Sequence, residues 1–451
     1  MLTLFISIIG ILITISLVVG VHELGHFLAA RSVGIKVLRF SIGFGKPLLR
    51  WQGKRGTEYV LAAIPLGGYV KMLDEEEGNV PVNELPYAFN RQPIYKKLWV
   101  VIAGPLFNLI FAFIIYWALF MIGFTSIVPI LGNIPPDSIA ANAGLKPNTE
   151  IISINSTPTR SWMAVVIHII SQSGEKNTML IETKNPINQK TQEHKLDLSN
   201  WKIDNLKPEP LESLGLAPYQ PVIPPVIGEI QPNSSAEQNG LKKADVILSV
   251  NKKAIKNWDD LFAQINSNPK KNLLFTIKRD GKIQKINVRI DYTRDFFFKK
   301  HGYLGISPNF KWPEAMLRKN QYGPIQALSH AWQNTADFTQ LNFIVLGKLL
   351  TGKISLQSLG GPITIFSGAG SALNQGLIPF LSFLAFLSIS IGIINIVPIP
   401  GLDGGHILFF LIAAITRRPL SPRLQSLLYR LGFIALILLM VQALINDLLR
   451  L

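Results

Sequence analysis

His22-Glu23-Leu24-Gly25-His26 closes an apolar run, and its residue types suit hydrolysis. On a helix, two histidines four residues apart project from one face and can hold one metal ion, while the glutamate beside them can take a proton from water. The chain has no cysteine, which excludes disulfides, thiol catalysis and thiolate metal sites. A hydrolytic zinc site takes three protein ligands and leaves a fourth position open. The third ligand is expected on another apolar segment, and Asp403 is the single acidic or basic residue between Lys353 and Arg417. It stands in Asn395-Ile396-Val397-Pro398-Ile399-Pro400-Gly401-Leu402-Asp403-Gly404-Gly405-His406, where prolines and glycines interrupt the helix. Broken backbone at membrane depth is tolerated where it lines a protein cavity. His406 competes for the role. Asp403 is preferred, and His406 is read as a supporting or packing residue.

The elements that carry these residues are apolar. Of the 451 residues 48% are hydrophobic; Met1 to Val21 and Leu98 to Pro129 hold no charge, and the Lys353 to Arg417 region holds only Asp403. Each is long enough to cross a hydrocarbon layer about 30 Å thick, which takes about 20 helical residues. A fourth run, Leu431 to Asn446, follows Arg430, whose stem can lie along the helix while its charge reaches the interface. Ionisable groups on such spans line a cavity or bind one another. The loop after the first span carries Arg31, Lys36, Arg39, Lys46 and Arg50 among others, and the turn before the last span carries Arg417, Arg418 and Arg423. Basic loops stay inside, so both are expected on the cytoplasmic side, with HELGH near it and the two termini and residues 130 to 350 outside. The first span is expected to be retained, because Met1 to Leu4 lacks a basic residue and no small-residue cleavage pattern follows. The net charge of +16 is largely juxtamembrane Lys and Arg, and no nucleic-acid-binding motif accompanies it, so no nucleic-acid partner is expected.

Between the second and third apolar regions the sequence repeats itself. Ile134-Pro135-Pro136-Asp137-Ser138 to Gly144-Leu145, then Glu150 to Asn155 and Trp162, is matched without a gap by Ile230-Gln231-Pro232-Asn233-Ser234 to Gly240-Leu241, then Asp245 to Asn251 and Trp258. Each copy reads as a short strand, a small-residue helix ended by Gly, a strand, an Asn-containing turn and a second helix. The pattern resembles the PDZ domain in its permuted bacterial form. The peptide loops would then be Leu214-Gly215-Leu216 and Leu304-Gly305-Ile306. Such domains can add a peptide as an extra strand. They can equally serve as spacers, and the sequence leaves both readings open. After the repeat, residues 310 to 352 read as an amphipathic element on the membrane surface or as a linker helix.

HELGH on the first span, NIVPIPGLDGG on the third and a tandem PDZ insertion between them together resemble the bacterial site-2 proteases that regulate the sigma-E response, over essentially the whole chain. The resemblance implies an intramembrane zinc metalloprotease of the inner membrane, with His22, His26 and Asp403 on Zn2+, Glu23 as general base and Asn395 holding or polarising the substrate backbone. It implies single-pass membrane substrates: an anti-sigma factor already trimmed on its periplasmic side, or a remnant signal peptide. It also implies that two segments of the first loop dip into the membrane beside the zinc as β-structure. These contain Gly43, Phe44 and Gly45, and Leu66, Gly67, Gly68 and Tyr69. Ordinary solvent-facing hairpins remain the other reading of those segments.

The expected architecture is a multi-pass α-helical membrane protein with four transmembrane helices, membrane-associated β-hairpin loops and two tandem periplasmic PDZ domains of α+β type. Its parts are a first span over 1–30, a cytoplasmic loop over 31–96, a second span over 97–122, PDZ domains over 123–220 and 221–309, and a linker over 310–352. A third membrane region over 353–416 and a fourth span over 424–447 complete it. Two rival readings are a membrane peptidase of another HExxH family, which would not predict the NxxPxPxLDG partner, and a non-catalytic PDZ adaptor, which gives Glu23 no purpose.

Overall fold

A computed structural model describes residues 2–175, 177–186, 188–202, 209–294, 299–418 and 420–450. The uncharged start forms one helix, α1 (Leu2–Ser32), with HELGH near its end. Two long strands follow, β1 (Val37–Gln52) and β2 (Glu58–Met72), paired antiparallel. Each folds back on itself. β1 does so at Gly43 and Gly45, whose φ of 91° and 87° only glycine adopts freely. The arms 47–52, 58–64, 37–44 and 68–72 then lie side by side in that order: Trp51 pairs with Tyr59, Tyr59 with Phe40, and Phe40 with Val70. The outer 47–52 arm leaves Leu48, Leu49 and Trp51 exposed.

Helix α2 (Ile94–Ile122) leads through β3 (Phe124–Ile127) to two units of one layout. The first contains α3 (Ile139–Asn142), β4 (Glu150–Ile154), β5 (Thr157–Pro158), α4 (Trp162–Gln172), β6 (Thr178–Lys184), β7 (Thr191–Asp197) and α5 (Pro210–Leu214). The second contains β8 (Ile227–Ile230), α6 (Ser235–Gln238), β9 (Val246–Val250), β10 (Lys253–Ala254), α7 (Trp258–Asn266), β11 (Asn272–Arg279) and β12 (Lys282–Arg289), then β13 (Asp291–Arg294), β14 (Lys300–Tyr303) and β15 (Ile306–Pro308). Their sheets run β5-β4-β6-β7 and β10-β9-β11-β12. The duplication extends to single hydrogen bonds. Ser138 and Ser234 cap α3 and α6, Ser161 and Asn257 cap α4 and α7, and the side chains of Asn155 and Asn251 accept at 2.8 Å from Leu180 N and Leu274 N. Each unit buries its own core, around Ile151, Ile154 and Ile181 in one and Ile247, Val250 and Ile277 in the other.

Strand β16 (Leu317–Asn320) returns the chain to β3. The linker region then yields a full helix, α8 (Pro324–Leu350), which packs against α2: Ala327, Ala331 and Phe338 share a core with Ala112, Ile115 and Tyr116, and Ile167 of α4 joins them. The first unit is fastened to this helix by charge as well. Lys353 Nζ lies 2.7 Å and Lys348 Nζ 3.3 Å from Glu175 Oε1, and these ammonium groups hold the Glu175 carboxyl below its ordinary range.

The third apolar region is divided. It forms α9 (Pro362–Gln375), breaks at Gly376 (φ 118°), continues as α10 (Leu377–Ile396), breaks again through Pro398 and Pro400, and resumes as α11 (Asp403–Thr416). Helix α12 (Pro422–Leu449) ends the fold, and its Asp447 carboxylate accepts from Gly361 N and Ile363 N at 2.9 Å and Thr364 N at 3.1 Å, capping α9 from outside. Among the described residues four helices, α1, α2, α10 and α12, are long and apolar enough to cross a membrane. Much of α12 faces outward, with Leu431, Phe433, Ile434 and Leu438 exposed.

Candidate metal centre

Helix geometry brings His22 and His26 to one face of α1, with ring centroids 4.8 Å apart and the rings nearly perpendicular. Asp403, the first residue of α11, reaches them from the far end of the sequence. Its Oδ2 lies 3.0 Å from His22 Nε2 and 3.5 Å from His26 Nε2, and the two Nε2 atoms are 3.2 Å apart. Among the described residues these three form the one cluster of His, Asp or Glu whose donor atoms, all within 4.8 Å of one another, could hold an ion. Asp403 Oδ2 is buried yet accepts no well-formed hydrogen bond from either ring. Three Lewis-basic atoms turned on one point, with Asp403 Oδ2 left unsatisfied, fit a shared cation better than a polar cluster.

Close packing makes the convergence possible. A Cβ on Gly25 would lie 2.4 Å from Ala103 O, so α1 and α2 touch backbone to backbone. A Cβ on Gly104 would lie 2.4 Å from His26 Nε2 and 2.8 Å from His22 Cε1, so both rings occupy the space of a missing side chain. Gly404, beside Asp403, is pinned in the same way against the carbonyls of Ile396 and Val397. His26 Nδ1 lies 2.8 Å from Val100 O. A carbonyl can only accept, so in the neutral ring Nδ1 carries the proton and Nε2 keeps its lone pair for the shared point.

The other anticipated residues fall in several places. Asn395, at the end of α10, sets its Nδ2 3.4 Å from His22 Nε2. Glu23 faces the β1–β2 sheet, where a Cβ on Gly68 would come 2.9 Å from its Cγ. Phe44 stacks on Tyr69 with centroids 6.2 Å apart, and a Cβ on Gly67 would run into the Phe44 ring. Gly43, Phe44, Gly45, Gly67, Gly68 and Tyr69 therefore gather at the fold-back of one sheet, next to HELGH; the Leu66 side chain lies outside the described residues. His406 is turned away, with Nδ1 3.2 Å from Tyr429 Oη. Leu214, Leu216 and Leu304 are buried in the cores of their units, Gly215 and Gly305 make left-handed turns (φ 79° and 76°), and Ile306 begins β15. Sequence reasoning passed over Val100, Gly104 and Asn108. The polar Asn108 in an uncharged span was the available signal, and its Nδ2 lies 3.4 Å from His22 Nδ1.

Residues 10–439 match the model of Peptidase family M50. The chain belongs to this family. The regulator of sigma-E protease RseP of Salmonella typhimurium is 41% identical over 448 residues, 99% of this chain and 98% of its own. RseP of Escherichia coli is 40% identical over the same shares, and a Vibrio cholerae protein named for zinc metalloprotease activity is 37% identical over 98% of each chain. A PDZ domain of an SdrC-like protein from Listeria monocytogenes aligns with 21% of this chain and 92% of its own at 16% identity, with a TM-score of 0.16. That last likeness is too slight to bear on the fold. This M50 peptidase is an intramembrane zinc metalloprotease of the site-2 type, acting on membrane proteins within a lipid bilayer. Membership sets aside the non-catalytic adaptor.

Proposed function

We propose that His22, His26 and Asp403 hold the zinc, that Glu23 is the general base, and that the enzyme cuts single-pass membrane proteins after their outer domains have been trimmed. The observation that carries this reading is the convergence of two Nε2 atoms and an unsatisfied Asp403 Oδ2 on one buried point. Zinc held there would polarise the scissile carbonyl and acidify the attacking water. Glu23 accepts the proton of that water and passes it to the leaving amine. Asn395 donates from its amide to the substrate backbone, for which its distance of 3.4 Å from His22 Nε2 suits it.

A membrane-spanning substrate is helical, and its carbonyls are already hydrogen-bonded until the helix unwinds. Among the described residues the 68–72 arm pairs on one side only, with the 37–44 arm, and Gly68 lies against Glu23. An unwound segment added along that arm would run past the base. The basic loops at both ends of the sequence support an inner-membrane protein with HELGH near the cytoplasmic side and the two units and both termini in the periplasm. The two units are read as PDZ domains over 123–220 and 221–309. Their loops present buried leucines rather than a ligand pocket, which favours exclusion of bulky outer domains over peptide capture. By likeness to the sigma-E regulators, the substrate is an anti-sigma factor, whose release starts an envelope-stress response, or a remnant signal peptide.

Cleavage of a trimmed single-pass substrate in membranes, compared between wild type and Glu23→Gln at equal expression, tests the assignment. The amide keeps the size of the side chain but loses the base, and the rate is expected to fall by about 10²- to 10⁴-fold while zinc stays bound. Near-normal turnover in Glu23→Gln would end the assignment of that residue.

A further inference from the structure

Helix α2 presents one stripe to the two histidines. Val100, Gly104 and Asn108 recur every four residues on a face of α2, and α1 lays His26 and His22 along it. Val100 O meets His26 Nδ1 at 2.8 Å, and Gly104 leaves room for both rings. Asn108, fully buried, meets His22 Nδ1 at 3.4 Å. It is held from a third helix, because Ser388 Oγ donates to its backbone oxygen at 2.9 Å and Gly392 lies against its Cβ.

The amide is turned with Nδ2 toward His22, while its Oδ1 is buried without a hydrogen-bond partner. The oxygen and nitrogen of an amide are told apart only by their partners. If His22 gives its Nε2 lone pair to the ion, Nδ1 carries the ring proton, and an NH2 group facing it sets donor against donor. The reversed amide offers Oδ1 instead, and the orphaned acceptor gains a donor. We propose that Asn108 is the positioning residue for His22: its side-chain oxygen accepts the Nδ1 proton, fixes the tautomer and aims Nε2 at the zinc, as Val100 O does for His26. This rests on the assignment of His22 to the zinc.

The test is zinc affinity, measured by chelator competition on the purified full-length protein, with the visible spectrum of the cobalt-substituted form as a second readout. Asn108→Leu keeps the volume but removes the acceptor, and is expected to weaken zinc binding by about 10- to 100-fold and to alter the cobalt band. Asn108→Asp keeps an acceptor oxygen and is expected to hold affinity near wild type. Where leucine is not accommodated, Asn108→Ala removes the acceptor without adding bulk and is read in the same way. Wild-type affinity in the variants lacking the acceptor overturns the proposal, and so does equal loss in Asn108→Asp, which would mark a packing role. His22→Ala, measured alongside, separates the two levels: if it leaves zinc bound at full affinity, the ligand assignment fails rather than the role of Asn108.

Discussion

Selected glycines of the two halves of this molecule do different work. In the paired units, four of them make turns: Gly144 and Gly240 end short helices at φ 77°, and Gly215 and Gly305 close the loops near each unit's end. In the helical body others remove side chains where helices must touch, at Gly25 against Ala103 O, at Gly104 under the histidine rings, and at Gly432, where a Cβ would sit 1.9 Å from Pro400 O. The paired units are locally determined, each with its own core. The proposed metal centre is assembled from residues of α1, α2, α10 and α11 that have no contact until the body has packed. Damage to one half should therefore leave the other intact.

Gly104→Val is expected to break the centre most completely. Its first added atom would fall 2.4 Å from His26 Nε2. Overpacking ordinarily costs about 1–3 kcal/mol, but here the atoms displaced are those of the proposed ligands. Zinc and cleavage should both be lost while a protease-resistant fragment spanning the two units survives; retention of zinc in this variant would mean that the rings do not lie over Gly104.

A proline at Val70 tests the sheet proposed to join substrate to centre. It removes a donor from the arm beside Glu23, and one strand hydrogen bond is worth about 0.5–1.5 kcal/mol, so a few-fold loss is expected. The loss should be larger for a stably helical substrate than for one carrying helix-breaking residues. Equal effects on both would assign the sheet a purely structural part.

Deleting Ile127 to Ser307 tests the other half and should have the smallest effect on chemistry. Zinc content and cleavage of a trimmed substrate are expected to stay near wild type, while the full-length substrate is newly admitted. A deleted protein that cleaves the trimmed substrate but still refuses the full-length one contradicts exclusion.

What could be read from the sequence follows the same division. Ser138 and Ser234, and Ser161 and Asn257, cap helices within a few residues of themselves, and caps of that kind are visible in a string. HELGH was visible for the same reason, since i and i+4 share a helix face. Asp403 stood out because a lone charge in an apolar region needs a reason. The breaks inside 353–416 did not stand out. Composition reports an apolar environment, and it is single glycines and prolines, at Gly376 and from Pro398 to Gly401, that divide it. Asn108 stayed hidden because it bears no charge and its partner lies 86 residues away on another helix. The folding back of β1 and β2 depends on which arm meets which, and alternation along either strand does not encode that.

The central claim is that Asp403, brought from the far end of the chain, completes the zinc site with His22 and His26, and metal analysis of the purified protein tests it most directly. Zinc per chain would be measured in wild type, His406→Ala and Asp403→Asn. A neutral amide is a poorer ligand for a doubly charged ion, so Asp403→Asn should lose zinc as well as activity. His406→Ala, which removes contacts to Tyr429 and Phe410, should keep it. Full zinc occupancy in Asp403→Asn, or its loss in His406→Ala alone, would contradict the account and move the third ligand elsewhere.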